Sequence, residues 1–479
     1  MRLGNVLIRC VYRTLIFMFL TLVLSMASAN ETKTLLQERN LDSICSGASI
    51  SMRWNDNDWF VGEFEPNFSQ KIFVKAIVDS GKSGAQIVSV LNNANENTLI
   101  VGHPSVTLDL KGQPLVLKSG SSIDGKGMQL VSSKKIHSFI RNRGSTRRNI
   151  VENLIISAKS MERSASIDFT AVDGLIVRGN TISGNKNSAI VVASSETNSS
   201  KNIIVSNNKI HSPGKAVGHL VMIKNRTRGR IIKCVAVLNN HVLGSDPENL
   251  RVEDYTPENE FSADQIVLHG VEGFLVYGNY SGWSGSAGYT ISRLSRDGVI
   301  HNNVAEHCYE PGFNIGSGIE RVEVKSSADV LIRESLTNGR ASLQIKSVIK
   351  KSTDLLELRG KVRKGIVEIG DTLSYGTGKK FGVIQAHQRG VENVVLIGNN
   401  ANDTSIQRQI HKNLAAYNVV RSTNVFLMGN QYANPDGVGR ANKFASFSVS
   451  QGYISENSVK KYGSGDIQVA GPGAAYRVW

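Results

Sequence analysis

Cysteine, proline and aromatic residues are all scarce in this sequence. Its 479 residues include 4 cysteines, too few for a disulfide-dense scaffold. Proline occurs only 9 times, which argues against proline-rich linkers and collagen-like repeats, and aromatic residues make up 6%. Acidic residues are also fewer than basic ones: the sequence has 40 Asp and Glu but 55 Lys and Arg, which gives a formal net charge of +15. The 40% hydrophobic content is too high for a disordered chain, so the sequence predicts a folded, basic protein.

The motifs of several enzyme classes are absent. The sequence has no G-x-S-x-G, H-E-x-x-H, C-x-x-C or P-loop pattern. Serine hydrolases, zinc proteases and nucleoside triphosphatases therefore lack support. It also has no Asp-Asp pair of the kind that a glycosidase on a β-solenoid would use, which disfavours that chemistry.

The amino-terminal residues carry the pattern of an export signal. Arg2, Arg9 and Arg13 precede or flank an apolar stretch at 15–24, and Ala27-Ser28-Ala29 offers a small-residue cleavage site. The apolar stretch is short for a membrane span, so we expect residues 1–29 to be removed and no stable span to remain. The mature protein is expected to be secreted or periplasmic. Cys45, Cys234 and Cys308 then remain, and an odd number of cysteines cannot all pair within one chain. At most one disulfide can form, and the sequence does not determine which two cysteines it joins.

A large positive charge outside the cytoplasm favours an anionic partner. Nucleic acid is not expected after export, which leaves acidic polysaccharide as the natural partner. General solubility is the alternative explanation for the charge.

The strongest feature of the sequence is a degenerate internal repeat. Each copy has a small polar turn, alternating apolar residues and then usually Asn; the copies are VDGLIVRGN (172–180), SKNIIVSNN (200–208), VEGFLVYGN (271–279), SRDGVIHNN (295–303), SADVLIRES (327–335), GVENVVLIGNN (390–400) and STNVFLMGN (422–430). Many follow a second strand: SIDFT (166–170), AIVVA (189–193), QIVLH (265–269), YTIS (289–292), VEVK (322–325) and LQIK (343–346). A period of about 22 residues with longer insertions indicates one solenoid coil per repeat.

This repeat resembles the right-handed parallel β-helix of pectin-lyase-like proteins. The resemblance implies an all-β, single-stranded right-handed parallel β-helix over 101–479, after a cap region at 30–100. Within the cap, Trp54, Trp59, Phe60 and Phe64 are expected to plug the open end of the solenoid, and 87–96 to form a short helix. Stacked coils would let Asn180, Asn208, Asn279 and Asn303 form a structural hydrogen-bonded ladder.

Two insertions interrupt the repeats, an acidic loop at 244–262 and a basic β-ribbon at 347–389 around Arg-Gly and Gly-Asp turns. Each is either a wall of a groove or a plain surface loop. Glu253 and Asp254 of the acidic loop, together with Glu320, supply the oxygens that a hard cation prefers, so Ca²⁺ is a possible cofactor.

Strand phase predicts a candidate site on the outside of the solenoid. If Val322 and Val324 face the core, Glu323 and Lys325 face outward, and the same phase turns Gln344 and Lys346 outward one coil later. Counting back places His269 and Ser292 in the same column. The result would be a cationic stripe suited to an extended anionic polymer. Arg293, Arg296 and Arg321 lie next to these strands and are expected to bind carboxylates, with Glu323 and Gln344 as further substrate contacts.

The segment GIERVEVKSSADVLIRESLTNGRASLQIKS (318–347) resembles the signature of the alginate-lyase and chondroitinase-B family of polysaccharide lyases. The resemblance implies that Lys325 is the base, Lys346 takes the place of the acidic arginine and Glu320 is a calcium ligand. Gly318 stands where the family has its other glutamate ligand, and Ser347-Val348 replaces His-Gly. Because lysine is a poor base at neutral pH, His269 is a second candidate for that role.

The sequence therefore predicts an exported lyase that cleaves a uronic-acid-containing polysaccharide by β-elimination. Three alternatives remain open: a non-catalytic β-helix that binds or guides an exopolysaccharide, a C-5 epimerase, and a glycoside hydrolase on the same scaffold.

Overall fold

The computed structural model describes residues 41–316 and 390–478 except 47, 56–57, 163–164, 186, 196, 213–217, 226–229, 245–263, 406–414, 421, 436–442, 449, 463–465 and 471–473, and in addition the backbone of five strands between 322 and 387. The expected signal segment 1–29 and nearly all of the acidic loop 244–262, including Glu253 and Asp254, lie outside the described residues, as do Glu320 and Arg321.

Three long sheets, here called sheets I, II and III, run the length of the described part of the chain. Sheet I contains Gln70–Phe73, Thr98–Val101, Ser122–Asp124, Thr146–Glu152, Val172–Arg178, Lys201–Ser206, Ile232–Leu238, Val271–Tyr277, Arg296–His301, Glu392–Ile397, Thr423–Met428, Gln451–Ile454 and Ala475–Val478. Sheet II contains Thr107–Asp109, Gln129–Val131, Ile155–Ser157, Thr181–Ser183, Lys209–His211, His241–Leu243, Tyr280–Gly282, Val304–Glu306, Asn400–Asn402 and Gln431–Ala433. Sheet III contains Leu115–Leu117, Ile140–Asn142, Ile167–Thr170, Ile190–Ala193, Val221–Lys224, Ile266–His269, Tyr289–Ser292, Phe313–Ile315, Ala415–Val420, Lys443–Ser448 and Ile467–Ala470.

Each coil visits sheets I, II and III in turn, and every strand pairs in parallel with its counterpart in the next coil. Ile266 stands beside Tyr289, and Tyr289 stands beside Phe313. Parallel crossovers of this kind are right-handed. The inward side chains form one continuous apolar core, in which the rings of Tyr289 and Phe313 stack at 4.8 Å. The predicted right-handed parallel β-helix is confirmed.

A ladder of asparagine side chains follows one corner of the core. Each Nδ2 donates to the Oδ1 of the next residue at 2.9–3.0 Å, through Asn180, Asn208, Asn240, Asn279, Asn303, Asn399 and Asn430. The predicted ladder is therefore present and extends beyond the four expected members. The left-handed backbone of the turn belongs to the residue before the ladder position, as in Gly179 (φ 63°) and Asn207 (φ 54°).

The amino-terminal aromatic residues do not plug the end of the solenoid. The helix α1 (Leu41–Ile44) and an antiparallel hairpin, Ser51–Asn55 with Asp58–Gly62, lie on the outer face of sheet I. Trp59 and Phe64 are buried there, and Phe60 is 44% exposed. The expected plug was wrong because the outer face of sheet I is itself apolar, with Ile176, Leu275 and Val395 among its buried residues, and needs a cover.

Short helices close the two ends instead. Helix α2 (Val74–Asp79) and helix α3 (Gly84–Asn93) bury Val74, Val88 and Leu91 against the first coils, close to the helix expected at 87–96. Helix α4 (Glu456–Tyr462) packs the Tyr462 ring against Phe444 at 4.5 Å. Within the described residues, none of these helices is long and apolar enough to cross a membrane.

A disulfide joins Cys45 to Cys234, with their Cα atoms 5.7 Å apart. It links helix α1 and the hairpin, together called the amino-terminal cover, to the strand Ile232–Leu238 of sheet I. Cys308 is a buried free thiol. The pairing left open by the sequence is thus resolved.

The amino-terminal cover should loosen in acid because it depends on a neutral histidine. Trp59 Nε1 donates to His301 Nδ1 at 3.1 Å, and burial lowers the pKa of His301 to about 4. Between the ordinary pKa near 6.5 and this value, the unfolded chain binds a proton that the folded chain does not, so the free energy of unfolding falls as the pH falls. His301→Gln keeps an acceptor but does not titrate. We expect its melting temperature to depend less steeply on pH between 6.5 and 4 than that of the wild type, with exposed His137→Gln as the unchanged control. If the melting temperatures of His301→Gln and His137→Gln changed equally with pH, His301 would not be the cause of the acid sensitivity.

Candidate functional site on the outer face of sheet III

The strand phase predicted for His269 and Ser292 is confirmed. His269 and Ser292 are partners in adjacent strands of sheet III, and Ile266 and Tyr289 face the core as expected. Lys224 occupies the same register one coil earlier, beside His269. This strand was not predicted from the sequence, although VMIK (221–224) has the same pattern as VEVK and LQIK.

The expected continuation of this column through Lys325 and Lys346 is wrong. The strand after Tyr289–Ser292 in sheet III is Phe313–Ile315, followed by Ala415–Val420. Residues 322–387 contribute instead to a separate antiparallel sheet, sheet IV, in the order Leu331–Ile332, Val322–Lys325, Gly376–His387, Leu355–Gly365 and Ala341–Lys350.

Two strands of sheet IV separate the strand of Glu323 and Lys325 from that of Gln344 and Lys346. The corresponding backbone distance is about 14 Å, so an acid–base pair on adjacent coils is excluded by this topology. The physical reason is strand length: ribbon strands of 10 to 12 residues pair best with each other in hairpins and do not fit a short solenoid coil. The expected Arg-Gly turn is also absent, since Arg359 and Gly360 lie within a strand.

His269 is buried among cationic groups. The residue is 5% exposed, and its ring meets that of His219 edge-on with centroids 6.2 Å apart. Burial, together with the charges of Arg293, His219 and Lys224, lowers the pKa of His269 well below its ordinary value. The imidazole is therefore neutral at neutral pH and can accept a proton.

Three neighbouring polar atoms on this face lack a hydrogen-bond partner among the described residues. They are His269 Nδ1, Thr290 Oγ1 and Ser292 Oγ, all on residues that are at most 5% exposed. Buried polar groups are nearly always hydrogen-bonded, so three such atoms side by side indicate a place where a ligand or water binds.

Two carboxylates that are distant in sequence meet at the edge of the same face. The Ser286 hydroxyl lies 2.6 Å from Asp264 Oδ1 and 3.1 Å from Glu310 Oε2. Asp264 also accepts from the Ala287 amide at 3.1 Å, and its Oδ2 lies 4.0 Å from His219 Nδ1. Burial lowers the pKa of His219, and the Asp264 charge opposes that effect. This pair was not predicted from the sequence because its members lie two coils apart and form no local motif.

The two arginines after Ser292 differ in position. Arg293 and Leu294 both have left-handed backbone, with φ of 58° and 64°, a conformation that costs non-glycine residues about 1–3 kcal/mol each. Arg293 lies close enough to lower the pKa of His269. Arg296 instead begins a strand of sheet I and donates to Glu272 at 2.8 Å, so it is not part of this site, contrary to expectation.

The long connections of the solenoid enter or leave sheet III. One lies between Leu243 and Ile266, one between Ile315 and Glu392, and one between Asn402 and Ala415. Connections of this kind usually carry function on such scaffolds. The described residues contain no group of three or more His, Cys, Asp or Glu that could hold a metal ion, and the expected calcium ligands lie outside them.

A cavity of about 340 Å³ lies elsewhere, between the amino-terminal cover and sheet I. Its lining includes Glu63, Glu152 and Arg178. Arg178 donates to Glu152 at 2.6 Å and also pairs with Glu63, so these charges already satisfy each other. The outer face of sheet III, where three polar atoms have no hydrogen-bond partner in the described part of the chain, is therefore the better candidate site.

Comparison with known proteins finds only distant similarity to solved structures. By sequence, no protein family and no curated protein matches the chain. The adhesin PfbA of Streptococcus pneumoniae is 13% identical over 85% of this chain and 96% of its own, with a TM-score of 0.42. The iota-carrageenase of family GH82 from A. fortis is 12% identical over 73% and 75%, with a TM-score of 0.41. The exopolygalacturonase of Thermotoga maritima is 10% identical over 88% of each chain, with a TM-score of 0.36. The evidence for a parallel β-helix is the three long sheets of the chain itself.

Proposed function

We propose that this protein is an exported enzyme that cleaves a uronic-acid-containing polysaccharide by β-elimination on the outer face of sheet III, with His269 as the base. The observation that carries the proposal is a buried, neutral imidazole with an unsatisfied Nδ1 among the described residues, beside the cations Lys224 and Arg293. The net charge of +15 supports an anionic substrate. The signal pattern in residues 1–29 and the disulfide support export.

The reaction requires three tasks, and the described residues offer a group for each. Lys224 and Arg293 would neutralise the uronate carboxylate, which makes the C-5 hydrogen acidic enough to remove. His269 would take that proton as the C-5–H bond breaks, a C-4=C-5 double bond forms and the C-4–O bond breaks. The departing O-4 oxygen would take its proton from the imidazolium that forms on His269, because burial lowers the pKa of His219 despite the Asp264 charge and leaves His219 neutral.

Hydrolysis is the second candidate, and one observation favours it. Asp264 and Glu310 share the Ser286 hydroxyl, and paired carboxylates are the usual machinery of glycosidases. Asp264 Oδ1, however, already accepts hydrogen bonds from the Ala287 amide and the Ser286 hydroxyl, so this oxygen is occupied within the protein.

A product assay tests the proposal. The mature protein is incubated with a panel of acidic polysaccharides, with and without a chelator, and both unsaturated-product absorbance and new reducing ends are followed. Elimination yields both signals in step. Reducing ends without unsaturated product would overturn the lyase in favour of hydrolysis, and exchange of the C-5 hydrogen without cleavage would indicate an epimerase. Binding without any product would leave a non-catalytic polysaccharide-binding protein. Loss of activity with the chelator would support the predicted calcium.

A further inference from the structure

A row of uncharged polar side chains extends from the candidate site toward the carboxyl-terminal coils. The strand register of sheet III places one outward residue from each of five successive coils in this row: Thr290, Asn314, Asn418, Ser446 and Gln468. Four strand spacings give it a length of about 19 Å. It starts at Thr290, two residues before Ser292, and Ser292 pairs with His269 in the neighbouring strand.

The row begins abruptly. In the three preceding coils the same register position holds Val191, Met222 and Val267, and the last two are buried. At Thr290 the position becomes polar and stays so to the last described strand of sheet III. A sheet face that needed only a cover would continue with apolar residues, as the outer face of sheet I does.

Several members of the row combine burial with unused hydrogen-bonding capacity. Thr290 and Ser446 are 3% and 7% exposed. Among the described residues, Thr290 Oγ1 and Gln468 Oε1 are buried without a hydrogen-bond partner. Asn418 Nδ2 donates to Asn314 Oδ1 at 3.1 Å, which holds the two amides in fixed positions. Buried polar atoms at both ends of one row indicate a ligand that runs along it.

The chemistry of the row limits that ligand. Hydroxyl and amide groups suit sugar hydroxyls, which both donate and accept hydrogen bonds. No member of the row carries a charge. A carboxylate that lost its water here would therefore find no cation in the row to pair with. The cationic groups Lys224 and Arg293 lie at the other end of the site, near His269.

We propose that this polar row binds the uncharged sugars of a polymer in which uronic acid alternates with neutral residues, and that it lays the polymer along the solenoid axis with one uronate at His269. The inference rests on the proposed function for its choice of a saccharide ligand. It adds a direction, a length and a preference for alternating over homopolymeric substrates.

The test compares Asn314→Ala and Asn418→Ala with a matched control. Asn424 Nδ2 donates to Asn393 Oδ1 at 3.0 Å in a similar outward amide pair on sheet I, so Asn424→Ala removes a similar structural contact away from the row. Affinities for size-graded oligosaccharides of an alternating uronate polymer and of a polyuronate are measured by titration calorimetry. We expect each row variant to weaken binding of the longer alternating oligomers about tenfold, with little effect on the shortest, and Asn424→Ala to change neither.

Equal affinities of the row variants and the control, or equal binding of the polyuronate, would overturn the inference. Its failure is distinguishable from failure of the proposed function. If unsaturated product forms but the row variants behave as wild type, only the row is refuted. If long oligomers bind through the row without any unsaturated product, only the lyase is refuted. If the wild type binds neither polymer, both are wrong.

Discussion

Replacing His269 with alanine is expected to lower the rate of polymer cleavage by about 10²–10⁴-fold, the usual contribution of a general base. The variant should fold, because His269 Nδ1 makes no hydrogen bond among the described residues and the core-facing side of its strand is unchanged. The rate of unsaturated-product formation measures the effect. His137→Ala, at an exposed position in the first coils, is the matched control and should keep full activity.

The pH profile offers a second view of the same residue. The pKa of His269 is held well below the ordinary value by burial and by Arg293, His219 and Lys224, so the base stays unprotonated in weak acid. We therefore expect kcat/KM to hold below pH 6.5 and to fall only as the pH drops through the lowered pKa. Full activity of the alanine variant, or an acid limb centred near 6.5, would show that another group is the base.

Asn279→Ala is expected to lower the free energy of unfolding by about 3–4 kcal/mol. Asn279 Nδ2 donates to Asn303 Oδ1 at 3.0 Å and to the Val237 carbonyl at 2.8 Å, and its Oδ1 accepts from the backbone and side-chain amides of Asn240, each at 2.9 Å. Truncation leaves these buried groups without partners, and each costs about 1–3 kcal/mol before relaxation. Urea unfolding monitored by circular dichroism gives the difference.

The exposed pair Asn424–Asn393 again supplies the comparison. Water can replace the lost hydrogen bond there, so Asn424→Ala should cost only about 1 kcal/mol, mainly because Ala fits the left-handed backbone at this position (φ 52°) less well than Asn. Similar losses for Asn279→Ala and Asn424→Ala would mean that the ladder contributes no more than a surface amide.

The fold was predictable because its information is local and repeated. Alternating apolar residues determine which side chains face the core, and the repeat copies agree on that phase, so the register of Ile266 with Tyr289 followed from sequence alone. The Asn ladder followed for the same reason: a residue that recurs once per coil at one corner must stack on itself.

The candidate site was predictable only in part, because insertions break the repeat. VEVK and LQIK match the solenoid pattern locally, yet their strands pair within an antiparallel ribbon, since pairing depends on partners that a short pattern does not reveal. The meeting of Asp264 with Glu310 was likewise out of reach, because it depends on the path of the chain through two separate turns.

The position of the disulfide has a consequence for the order in which the protein assembles. Cys45 and Cys234 are 189 residues apart, and the strand of Cys234 is the seventh in sheet I. In a chain that emerges amino end first, Cys45 therefore cannot form this disulfide until the chain has been made as far as Cys234. The cover over sheet I is consequently linked to the solenoid late in assembly. In a nascent chain arrested before Cys234, Cys45 would lack its disulfide partner.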